Sequence, residues 1–148
     1  HPEYRRQRQM CIRDRIVGAF VSGMDAGKIY NSWPLMGNTY FPNDNNFRDL
    51  FRLSAFSDPS LVQFMHRNLA YLITIFYVFI FFKIYKKRLV NLYRTVNILG
   101  LFIILQIILG IFTVIYGAQI YIAAMHQLSS VFLVSSSLYF LYINTKIS

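Results

Sequence analysis

The sequence predicts an all-α membrane protein, and three observations carry that reading. Of its 148 residues, 55% are hydrophobic and 14% charged, whereas an ordinary soluble domain has about 25% charged residues. Three apolar runs each approach the roughly 20 residues that cross a hydrocarbon core as a helix. None of these runs alternates polar and apolar side chains with period two, which argues against barrel strands.

The elements follow in chain order. Residues 1–15, "HPEYRRQRQMCIRDR", hold five Arg and almost no apolar periodicity. "RQRQMCIRDR" resembles a translated sequencing adapter, so 1–15 is set aside as a non-native segment; a basic cytoplasmic tail is the alternative. "IVGAFVSGM", 16–24, is apolar but far too short to span, and reads as the end of a transmembrane helix truncated at its start. Residues 25–58 are a polar loop rich in Asn, Asp, Gly and Pro, with four acids (Asp25, Asp44, Asp49, Asp58) and three bases (Lys28, Arg48, Arg52).

Asp58 offers an N-cap and Pro59 a first helical position, so a span opens there and covers 59–85. A basic loop follows, with Lys86, Lys87, Arg88 and Arg94. Further spans are expected over 95–117 and 118–143, so that residues 59–148 hold three transmembrane helices. The positive-inside bias puts the basic loop and the C-terminus in the cytoplasm. The 25–58 loop and the turn at Gly117 then face the other compartment.

The net charge of +9 raises the question of nucleic acid. Here the charges cluster between apolar runs, and too few polar positions remain for a phosphate-tracking groove, so nucleic acid is not an expected partner. With Cys11 as its one cysteine, the chain has no internal disulfide and no multi-cysteine zinc site.

Two histidines remain to be explained. His66 lies seven residues beyond Pro59, about 10 Å along a helix, and His126 eight beyond Ala118, about 12 Å. In this topology both sit at one depth, near the outer face, on parallel helices. Ionisable groups inside spans are costly and mark function more often than not. Facing imidazoles in a bundle suit axial ligation of a haem iron from both sides; hydrogen-bonded packing is the alternative. Ala123, Ala124, Ser129 and Ser130 leave room for a flat macrocycle, or equally for close helix packing. Zinc is the weaker idea, because no Cys, Asp or Glu lies near that depth. Arg67 suits a haem propionate or, equally, the membrane interface. Gln63 and Ser130, near in sequence, are the candidates to bond the second nitrogen of each imidazole.

Three pieces of the chain together resemble haem A synthase, in its mitochondrial and proteobacterial branch. They are "GAFVSGMDAGKIYNSWPLMG" (18–37), "VQFMHRNLAY" (62–71), and "QIILGIFTV" (106–114) followed by "MHQLSS" (125–130). Their order and spacing are similar to the second half of that family from Gly18 almost to the end. The resemblance implies a fold of eight spans in two pseudo-symmetric four-helix bundles, each with a histidine pair. This chain would be the second bundle, a four-helix transmembrane bundle truncated in its first helix. The resemblance names His66 and His126 as metal ligands of one haem b, the pair that depth selects independently. It implies oxidation of a methyl group of haem O to the formyl group of haem A, for use in cytochrome oxidase. It also assigns the catalytic carboxylate to the other half, and no Glu follows Glu3 here, so no catalytic residue is expected in this chain.

The expected partners are the lipid bilayer, haem O by way of the other half, and an electron acceptor of unspecified chemistry; a homo-oligomer is left open. The expected location is a bacterial inner membrane, or the mitochondrial inner membrane in a eukaryote. A bis-histidine membrane cytochrome that only passes electrons is the alternative function. The 18–37 stretch favours the enzyme, since an electron-transfer bundle has no need of it.

Overall fold

The computed structural model describes residue 18 and residues 21–147. The readings for residues 1–15, and the part of the 16–24 reading that rests on residues 16, 17, 19 and 20, lie outside the described residues.

The described residues form helices joined by turns and irregular loops, with one isolated bridge between Met36 and Thr39. Three helices are long and apolar enough to cross a membrane: α1, Pro59–Lys86; α2, Tyr93–Ile115; and α3, Ile120–Ile147. Residues 18 and 21–23 are also helical. The loop after them contains short 3-10 turns at Ala26–Lys28, Phe47–Phe51 and Leu53–Ser57.

Helix α1 begins where its sequence says it should. The Asp58 carboxylate accepts from the Leu61 N–H at 3.0 Å, and Pro59 occupies the first turn. It ends at Arg88, which takes the left-handed conformation (φ 52°). The Arg88 N–H then reaches Tyr85 O and the Leu89 N–H reaches Ile84 O, both at 3.1 Å. This six-to-one, five-to-two pattern is the Schellman stop. Helix α2 ends in the same way at Gly117 (φ 62°), with Gly117 N–H on Val114 O and Ala118 N–H on Thr113 O. Ala118 is left-handed as well (φ 56°), and this reverses the chain so sharply that α2 and α3 form a tight antiparallel hairpin.

The core lies at the basic-loop end. Ile80 and Ile84 of α1 pack there with Leu92, with Val96, Leu99 and Ile103 of α2, and with Phe140 of α3. Gly100 of α2 takes the Tyr77 side chain of α1: a Cβ there would collide with the Tyr77 ring and hydroxyl. That hydroxyl donates to Val96 O at 3.2 Å. Hydroxyls of α3 bond back along their own helix, Ser136 to Leu133 O and Ser137 to Val134 O. A serine-rich helix thus satisfies its polar groups without water.

The polar loop sits at the opposite end, next to the Gly117 turn. Gly27 would meet the Ala118 Cβ at 3.2 Å if it carried a side chain, and Gly117 lies against Asn31.

Candidate functional site

The outer half of α1 turns one stripe of side chains toward the loop. The Gln63 Nε2 donates to Tyr30 O at 3.0 Å. Arg67 donates to three loop carbonyls: Ser32 O (2.9 Å), Leu35 O (3.3 Å) and Tyr30 O (3.1 Å). Tyr40 donates to Asn68 Oδ1, and the Trp33 indole donates to Tyr71. Asp44 secures the loop from its other side, accepting from Ser60 Oγ (2.5 Å) and Tyr30 OH (2.9 Å). Burial pushes the Asp44 carboxyl up, but the bonds from Ser60 and Tyr30 outweigh it and hold the group below its ordinary range. Tyr30 is shifted the other way, raised by burial and by its bond to Asp44.

His66 lies on the same stretch of α1, turned about 100° from Arg67 as consecutive helical residues are. His66 and His126 come together: their ring centroids are 6.4 Å apart and their planes 88° apart. His126 lies six residues, about 9 Å, from the start of α3 at Ile120, and His66 seven residues, about 10 Å, from the start of α1 at Pro59. Each imidazole rests against a glycine. A Cβ on Gly18 would stand 3.6 Å from His66 Cε1, and one on Gly110 only 3.1 Å from His126 Cε1. The Nδ1 atoms of both rings are shielded from solvent.

The residues present can be tested against a haem. With each nitrogen about 2 Å from a metal and about 1 Å from its own ring centre, two axial imidazoles have centroids about 6 Å apart. The observed 6.4 Å fits that spacing. Among the described residues no group of three or more His, Cys, Asp or Glu could hold a bare metal ion. Two imidazoles alone suit a metal whose other ligands come from a macrocycle. A separate cleft between Tyr40, Phe64, Arg67 and Tyr71 is too shallow to take even a water molecule.

Gln106 of α2 was not singled out in the sequence. Its Nε2 donates to His126 O at 3.2 Å and lies 3.3 Å from His126 Nε2, and its Oε1 accepts from Ser129 Oγ. The signal was available: Gln106 and Gly110 are four residues apart, on one face of a helix that is mostly apolar around them. The two residues expected to support the histidines bond elsewhere. Gln63 turns to Tyr30 O, leaving its Oε1 buried and unpartnered, and Ser130 Oγ donates to Gln127 O. Arg67, expected at a propionate or at the interface, holds loop carbonyls and keeps a buried Nε with no partner.

Residues 9–138 match the family described as cytochrome oxidase assembly protein (COX15-CtaA), a range that begins inside the arginine-rich segment. A "Heme A synthase" of Pelagibacter ubique is 42% identical over 93% of this chain and 40% of its own length. That of Flavobacterium johnsoniae is 35% identical over 86% of the chain and 38% of its own length. That of Wolbachia pipientis wMel is 42% identical over 85% and 34%. The chain therefore spans at most about two fifths of these relatives. No solved structure matches it. A family match over residues 9–138 and relatives up to 42% identical across most of the chain make it a member of the haem A synthase family.

Proposed function

We propose that this chain is the haem-b-holding, C-terminal half of a haem A synthase, which oxidises a methyl group of haem O to the formyl group of haem A for cytochrome oxidase. The single observation that carries the reading is the His66–His126 pair, 6.4 Å apart on two spans and inside the range that matches the family. His66 and His126 would hold the haem iron between them, and the group would supply electron transfer. The chain's own residues do the rest. Gly18 and Gly110 make room for the two rings. Arg67 and Gln63 hold the loop against the outer end of α1, and the unpartnered Arg67 Nε is the donor left for a propionate. Positive-inside places the Lys86–Arg94 loop in the cytoplasm and the histidines near the far face of a bacterial or mitochondrial inner membrane. In this reading the complete protein has eight spans in two bundles, and haem O binds in the other one.

The test is spectroscopic. Membranes carrying the chain are expected to hold one low-spin haem b. With ring planes near perpendicular, its ferric EPR signal should be strongly anisotropic. His66→Ala and His126→Ala should each abolish it while circular dichroism shows the helices intact. An unchanged spectrum in both variants overturns the ligand assignment. The chain alone is expected to leave haem O unconverted, checked by product analysis with an added electron acceptor.

A further inference from the structure

The contacts of Gln106 reach further than packing. Its side-chain amide stands between the backbone and the ring of one residue, His126. The nitrogen is 3.2 Å from His126 O and 3.3 Å from His126 Nε2, while the oxygen accepts from Ser129 Oγ. Ser129 Oγ also lies 3.0 Å from His126 O. A backbone carbonyl oxygen only accepts. The amide atom facing it must therefore be the nitrogen, since the reversed amide would set two acceptors against each other. Ser129, whose hydroxyl can donate or accept, accommodates this orientation with its Oγ beside the amide oxygen. The two amide protons then have two acceptors, His126 O and His126 Nε2. An Nε2 that accepts carries no proton, so the imidazole proton is on Nδ1.

We propose that Gln106 is the positioning residue that holds His126 in its Nδ1–H tautomer, with Nε2 unprotonated and ready to take a metal, before haem arrives. The inference rests on the haem-binding reading above for its purpose, but the tautomer itself does not depend on haem. Gln106 would be a placeholder: a metal bound at Nε2 would displace one amide N–H, while the bonds of the amide to His126 O and Ser129 could stay in place. Without it, a neutral imidazole is free to place its proton on Nε2, and that proton must leave before a metal binds.

The experiment uses the full chain in nanodiscs without haem, labelled with 15N-histidine. His126→Ala and His66→Ala serve to assign the resonances. The wild-type His126 signals are expected to be those of the Nδ1–H form. Gln106→Leu should give a mixture of tautomers. Gln106→Glu, which can only accept from the ring when ionised, should shift His126 to the Nε2–H form. Titration with ferric protoporphyrin IX should then give a low-spin spectrum at saturation in wild type and Gln106→Leu alike, with affinity in Gln106→Leu no lower than in wild type, because the amide N–H that competes for Nε2 is gone. If Gln106→Leu fails to fold, Ser129→Ala removes only the hydroxyl beside the amide, and part of the His126 signal should move to the Nε2–H form. An Nε2–H form in the wild-type chain overturns the inference, as does an unchanged tautomer in the folded Gln106 or Ser129 variant. Failure of the haem reading is a different result: both His→Ala variants would then keep the haem spectrum whatever the tautomer.

Discussion

At the basic-loop end of the bundle, aliphatic and aromatic side chains from all three helices close on one another, from Ile80 and Ile84 to Phe140. At the other end the helices meet through glycines, two imidazoles, an amide and a serine. A closed apolar end fixes where the helix axes lie. The open end can then hold polar groups at a separation that hydrophobic packing would not choose. Lipid adds little drive for helices to associate, so the contacts inside the bundle must set the geometry. The two critical glycines show the division of labour: Gly100 lets α1 and α2 touch, whereas Gly110 keeps space for a ring.

The largest effect is expected at Gly110. Even a methyl there lies 3.1 Å from His126 Cε1, so Gly110→Val should displace the imidazole. Most of the low-spin haem should be lost, while unfolding in denaturing detergent is little changed. Gly100→Ala should do the reverse. The added methyl and the Tyr77 hydroxyl cannot share the space, and overpacking of this kind costs about 1–3 kcal/mol. The unfolding midpoint should fall while the haem spectrum stays, and adding Tyr77→Phe should recover part of the loss. If both variants altered both readouts equally, the two ends would not be separate.

The smallest effect concerns the loop that covers the outer end. Asp44 has a lowered pKa in the folded chain, so its contribution is complete above the unfolded value and is lost as pH falls through the folded one. Tyr30 has a raised pKa, so its contribution is complete below the unfolded value and is lost as pH rises through the folded one. Proteolysis within residues 25–58 should therefore be slowest in the neutral range and faster at both extremes. Both groups are largely exposed to solvent, so the change is expected to be modest. Asp44→Asn should flatten the acid limb.

The sequence carried the helices further than the site. Asp58 and Pro59 marked the start of α1 to the residue. The α2–α3 boundary was drawn between Gly117 and Ala118, but both are left-handed, so α2 stops at Ile115 and α3 begins at Ile120. Helix α3 also continues beyond Ile143 through a polar tail, because backbone bonding does not stop where hydrophobicity does. The histidine pair was legible because depth along a helix is simple arithmetic. Their supporting residues were not, because nearness in sequence was read as nearness of side chains. Gln63 and Ser130 are close to the histidines along the chain and turn elsewhere, and Arg67 points a third of a turn away from His66. Gln106, on a different helix, escaped a search guided by nearness in sequence.

The reversal at Gly117 and Ala118 has a consequence for how this region tolerates change. It works as a length standard. Gly110 lies five residues before the end of α2 at Ile115 and His126 six after the start of α3 at Ile120, about 8 Å and 9 Å along two helices that leave the same corner. One residue added to either arm would turn its far members by about 100° and move them 1.5 Å, taking His126 away from both Gly110 and Gln106. The size of the corner between α2 and α3 is therefore as much a condition for the meeting of the two imidazoles as the histidines themselves.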